Sequence, residues 1–221
     1  MRVLIFGASG MVGSGALLEA LEDDGVTSVT TIGRRSVGMS HEKLTAVLHP
    51  DLFNLGPVSD ALSGFDACFY ALGVTSAGMS EDEYRRITVE LTKAILDPVV
   101  SANPEITICF VSGQGTDDSE QGRVMWARVK GEAENYVRGL PVRSYLFRPG
   151  FIQPLKGVRS RTAIYERLYA VIRPIVPVLR SAFPNAITTT VEVGRALIRV
   201  VREQPDDVVL EQRRIVELGR G

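Results

Sequence analysis

The sequence predicts an α/β fold, a doubly wound parallel sheet with helices on both faces, formed as a single domain over residues 1–221. Three observations predict it. Apolar runs of strand length recur along the chain, helical stripes separate them, and a glycine-rich turn joins the first run to the first stripe. Runs that are apolar throughout suit strands buried on both faces, and regular strand–helix alternation makes such strands parallel.

Val3–Phe6 reads as the first strand, and Val12, Ala16, Leu17, Ala20 and Leu21 follow it at helical spacing. Val29–Ile32 and Leu44–Leu48 read as strands two and three. Ala67–Leu72 is the fourth, followed by a helix face of Tyr84, Ile87, Leu91 and Ile95. Ile106–Val111 is the fifth, and Trp126, Val129, Ala133 and Val137 mark the next helix before a sixth strand, Ser144–Phe147. A last helix carries Val191, Gly194, Leu197, Ile198 and Val201, with a short tail after it.

Residues 151–185 depart from this alternation. They hold Lys156, Arg159 and Arg161, several prolines and the apolar stretch Ala163–Leu179. Ligands of doubly wound sheets bind beyond the carboxyl ends of the strands, and this excursion leaves from such an end. It is therefore expected to face the substrate as a lid. Glu166, Arg167 and Arg173, with breaks at Pro174 and Pro177, argue against an integral membrane span. A pocket-closing helix or a homo-oligomer face is expected instead, with a surface-bound amphipathic helix as the alternative.

Composition narrows the function classes. With 45% hydrophobic and 23% charged residues, the chain is neither disordered nor fibrous. A formal net charge of −1 gives no general attraction to nucleic acid. Cys68 and Cys109 lie inside apolar runs without metal-ligand spacing, and the chain opens on a strand pattern. These features predict a reducing, cytoplasmic setting and no metal site.

The cofactor signal is Gly7-Ala-Ser9-Gly10-Met11-Val12-Gly13, directly between strand and helix. In that context the first glycine permits the tight turn, the second lets a pyrophosphate approach and the third lets helix and sheet pack closely. The helix start then offers free amides to phosphates. This is the Rossmann arrangement; a ligand-free tight turn is the alternative. At the end of strand two, where an acid for the NAD ribose is expected, stand Gly33-Arg34-Arg35. Two guanidinium groups favour a 2′-phosphate, so NADP(H) is expected over NAD(H). Asp51 and Leu52, past strand three, are expected at the adenine edge.

Gly7–Gly13, Gly33-Arg-Arg35, Asp51-Leu52, Val111-Ser112, Lys130-Gly-Glu132 and Arg148-Pro149-Gly150 together resemble the atypical short-chain dehydrogenase/reductases. The resemblance extends to their Tat-interacting-protein-like oxidoreductases and NAD-dependent epimerase/dehydratase members, over about residues 1–205. It implies a serine after strand five, matched by Ser112, and a Tyr-x-x-x-Lys helix, whose lysine is Lys130. It also brings the backbone around Pro149 near the nicotinamide, and Leu72 and Gly73-Val-Thr-Ser76, after strand four, beside the cofactor; an ordinary glycine turn is the alternative there. The family tyrosine carries the proton while hydride moves to or from the cofactor. Here that position is Trp126, and an indole is no acid or base near neutral pH. Three readings follow: another group supplies the proton (Tyr84, Tyr70, Ser112 or a water held by Lys130); the chain binds NADP(H) without turnover; or Trp126 is core and Lys130 a surface residue. The leading expectation is an oxidoreductase- or epimerase-like protein acting on a small carbonyl or hydroxyl compound.

Overall fold

The computed structural model describes residues 1–157 and 187–221. The expected apolar helix Ala163–Leu179, with Arg159 and Arg161, lies outside the described residues, as does all of the 151–185 excursion past residue 157.

Six strands stand where the apolar runs place them: β1 (Arg2–Phe6), β2 (Ser28–Gly33), β3 (Leu44–Leu48), β4 (Ala67–Tyr70), β5 (Thr107–Val111) and β6 (Ser144–Arg148). Two short strands, β7 (Phe151–Gln153) and β8 (Ile187–Thr189), form a separate parallel pair. Among the described residues the main sheet has seven strands, all parallel, in the order β3-β2-β1-β4-β5-β6 and then Val209–Glu211. Its seventh strand, β9 (Val209–Glu211), pairs with β6 and leads into a terminal helix (Gln212–Arg220). The expectation of a short tail is therefore corrected. Three residues make too brief a run to stand out, and that helix hides Ile215, Val216 and Leu218 among charged residues while burying all three.

Side chains alternate between the two faces. Val3, Ile5, Phe69, Cys109 and Phe147 fill one core, beneath the helices α1 (Met11–Glu22), α5 (Thr190–Glu203) and α6 (the Gln212–Arg220 helix). Leu4, Phe6, Cys68, Tyr70, Ile108 and Phe110 fill the other, beneath α2 (Glu81–Arg85), α3 (Leu91–Ala102) and α4 (Met125–Arg138). Between α2 and α3 the chain makes one π-helical turn, Arg86–Glu90. The wider turn inserts one residue into the period, so the buried stripe runs Tyr84, Val89, Thr92, Leu96 rather than through Ile87 and Leu91.

The strand order turns at β1, whose neighbours β2 and β4 lead the chain in opposite directions. Such a switch point opens a crevice at the carboxyl ends of the strands.

Candidate dinucleotide groove and adjoining lysine site

A cavity of about 380 Å³ occupies that crevice. Its floor is Gly7–Gly10, its walls the β2 end at Gly33-Arg34-Arg35 and the β4 end at Ala71–Thr75, with Leu52 on the side of strand three. Gly7 has φ +86°, and a Cβ there would stand 2.5 Å from the Ala71 carbonyl oxygen. A Cβ on Gly13 would overlap the Gly7 carbonyl. Both positions exclude any larger residue, and the absent side chains let α1 start against the floor of the groove.

Gly10 caps α1 without a side-chain hydrogen bond, and the first turn holds no acidic residue. The positive helix end therefore remains uncompensated by the chain itself. Met11 and Val12 form that first turn and rest on the core. Arg34 and Arg35 are exposed and make no ion pair among the described residues. An uncapped helix start, a floor without side chains and two free guanidinium groups fit the phosphates of a dinucleotide. Leu72, Gly73, Val74 and Thr75 line the same wall, and Thr31 and Val37 join them without having been singled out in the sequence. Asp51 does not line the groove; its carboxylate accepts from the Phe53 backbone N–H at 3.0 Å.

The second group of residues gathers at the ends of β5 and β6. Lys130 Nζ donates to the Ser112 carbonyl at 2.6 Å. Trp126, one turn earlier on α4, is half-buried, and a Cβ on Gly115 would touch its ring at 3.4 Å. The Pro149 carbonyl accepts from the Gln114 N–H at 2.9 Å, which ties the two strand-end loops together. Burial pushes the Lys130 ammonium down to a pKa of about 8, against an opposing pull from Glu134.

The Ser112 hydroxyl donates inward, to Glu134 Oε1 at 2.5 Å with the Phe147 carbonyl also in reach at 3.1 Å. Glu134 is fully buried and takes a forked ion pair from Arg148, at 2.5 and 3.1 Å. That pairing raises the Arg148 pKa still further. Glu134 went unnoticed in the sequence, although a carboxylate four residues past Lys130, beside the buried Ala133 and Val137, was its signal.

Two of the expected substitutes for the missing tyrosine are corrected. Tyr70 is buried at 1% exposure, stacks on Phe110 and shares a hydrogen bond with Thr92. Tyr84 is equally enclosed, at 2%. Burial raises both phenol pKa values, so neither exchanges protons with a ligand near neutral pH.

Fold and groove together define a nucleotide-binding protein of the Rossmann type, with an oxidoreductase-like architecture. The chain belongs to the NAD dependent epimerase/dehydratase family, whose profile matches residues 3–122. It is 26% identical to the mitochondrial protein fmp52-2 of Aspergillus oryzae over 98% of this chain and 96% of that protein. It is 30% identical to HTATIP2 of Rattus norvegicus over 68% of this chain and 62% of that protein. Among solved structures it resembles MoeE5 in complex with UDP-glucuronic acid and NAD, with a TM-score of 0.69 at 21% identity, covering 96% of this chain and 76% of that one. Several relatives correct the expected cytoplasmic location: fmp52 proteins of Emericella nidulans, of which 66% is matched, and of two Aspergillus species are named as mitochondrial. Among the described residues no helix is long and apolar enough to cross a membrane.

Proposed function

We propose that this chain binds NADP(H) in the β1–β2–β4 groove and acts as an oxidoreductase- or epimerase-like protein on a small carbonyl or hydroxyl compound. Lys130 takes the proton-carrying role of the missing tyrosine. The observation that carries this reading is the Lys130 ammonium, held at 2.6 Å on the Ser112 carbonyl and titrating at about 8. A lysine tuned to that range is a competent acid and base near neutral pH, which an indole is not. Only one of its three N–H donors is engaged among the described residues, leaving others for a substrate oxygen or the cofactor ribose.

The bound dinucleotide would supply or accept hydride at the reacting carbon. The chain's own residues do the rest. Gly7, Ser9, Gly10, Met11, Val12 and Gly13 seat the pyrophosphate, Arg34 and Arg35 hold the 2′-phosphate, Leu52, Leu72 and Gly73 wall the groove, and Pro149 flanks the nicotinamide end. Trp126 closes one side of the lysine site as an apolar wall. The test is carbonyl-dependent NADPH oxidation by the purified chain across a panel of small aldehydes and ketones. Turnover is expected, with a loss of a hundredfold or more, about 10²–10⁴, in Lys130→Met.

One observation favours a second reading, a non-catalytic NADP(H)-binding regulator. The Ser112 hydroxyl proton is committed to Glu134, so both usual proton donors of the family site, serine and tyrosine, are out of use here. Tight NADPH binding without turnover on any carbonyl would establish that alternative.

A further inference from the structure

Among the described residues, ion pairs lie mostly at the surface, and Glu134 is the most deeply buried carboxylate in one. We infer that Glu134 is the positioning residue of the lysine site: its buried carboxylate anchors Ser112, whose carbonyl holds Lys130, and keeps the Lys130 side chain in its ammonium form. This rests on the reading of Lys130 as the proton-carrying group.

The geometry runs through three contacts. Glu134 Oε1 receives the Ser112 hydroxyl at 2.5 Å, the Ser112 backbone N–H is fixed on Phe147 at 2.9 Å, and the Ser112 carbonyl then meets Lys130 Nζ at 2.6 Å. Rotation of the serine is thereby blocked at both ends of the residue. Arg148 pairs with Glu134 directly, and Lys130 is linked to the same carboxylate through Ser112. Without it, desolvation would act on Lys130 unopposed.

Other charges around Lys130 are already paired. On β6, Arg148 also reaches Glu211 of β9 and Asp118 of the loop before α4, each at 3.3 Å. From α2, Arg85 pairs with Glu132, and Glu81 pairs with Arg128 at 2.8 Å. Glu132 and Glu81 are each paired and partly exposed, whereas Glu134 has no exposed side-chain surface, so its charge is the one that solvent screens least at Lys130. A purely structural ion pair would affect stability and leave the lysine titration where it is.

The chain has four lysines, Lys43, Lys93, Lys130 and Lys156, so ¹³C,¹⁵N-lysine labelling lets each side chain be followed by NMR through a pH series without any cofactor. Lys130→Met assigns the signal. In Glu134→Gln the Lys130 midpoint is expected to fall by about half a pH unit or more, while Lys43 and Lys93 stay in place. Because Glu134→Gln leaves Arg148 buried without its partner, a double variant, Glu134→Gln with Arg148→Met, removes both charges and keeps the test open if the single variant does not fold. A smaller downward movement is expected there, because the positive charge of Arg148 is lost together with Glu134. A Lys130 midpoint unmoved in the folded variants would overturn the assignment. A shifted midpoint in a chain that binds no dinucleotide would uphold Glu134 and remove the proposed function instead.

Discussion

At the scale of single residues, the proposed selectivity and the proposed chemistry divide between two places at the carboxyl end of the sheet. Arg34 and Arg35 stand free at the groove, so their guanidinium groups have no competing partner among the described residues. Replacing both with alanine is expected to weaken NADPH about ten- to a hundredfold while leaving NADH nearly unchanged, as measured by calorimetry. Equal losses for both nucleotides would remove the 2′-phosphate from the reading. These residues were legible in the sequence because the motif fixes their spacing from the glycines. Glu134 was not legible in the same way. Its role depends on Ser112 and Arg148, 22 residues before it and 14 after, and only the fold brings those side chains together. Trp126 was legible as a departure, but the fate of the proton was not. That depended on the burial of Tyr70 and Tyr84, which helical or strand periodicity alone does not grade.

At the scale of elements, two glycines separate packing from binding. Gly131 brings α4 so close to the Asp117 backbone that a Cβ would overlap its carbonyl. Gly131→Ala is expected to destabilise the fold by about 1–3 kcal/mol or more in chemical denaturation, because backbone cannot move aside as a side chain can. Gly73, by contrast, has open space where its Cβ would go, yet it lines the groove. Gly73→Ala should keep the denaturation midpoint and weaken dinucleotide binding. Unchanged binding would place the cofactor elsewhere. Strand and helix order was readable where runs were long and periodic. It failed at β9, where three residues carry the pairing, and at the π turn, where one inserted residue moves the buried stripe without altering composition.

At the scale of the whole molecule, the lysine site leaves a mark on stability. Lys130 titrates at about 8 in the folded chain against an ordinary value of 10.5. Between those values the unfolded chain holds the extra proton, so stability attributable to this group rises with pH. Below about pH 8 both states are protonated and the folded one bears the full cost of the buried charge; above about 10.5 the cost is gone. Lys130→Met should therefore be more stable than the parent at pH 7, with the gap closing by pH 10 in urea titrations. A gap independent of pH would mean that the ammonium is not buried as described. Most direct of all is a fluorescence titration, since Trp126 is the sole tryptophan and stands on the helix that carries Lys130. Trp126 would be excited while NADPH and NADH are added separately, following indole quenching and emission from the reduced nicotinamide. Saturable change with NADPH, at concentrations about tenfold or more below those needed for NADH, is the predicted result. No saturable change with either nucleotide at millimolar concentration would contradict dinucleotide binding and leave only the fold.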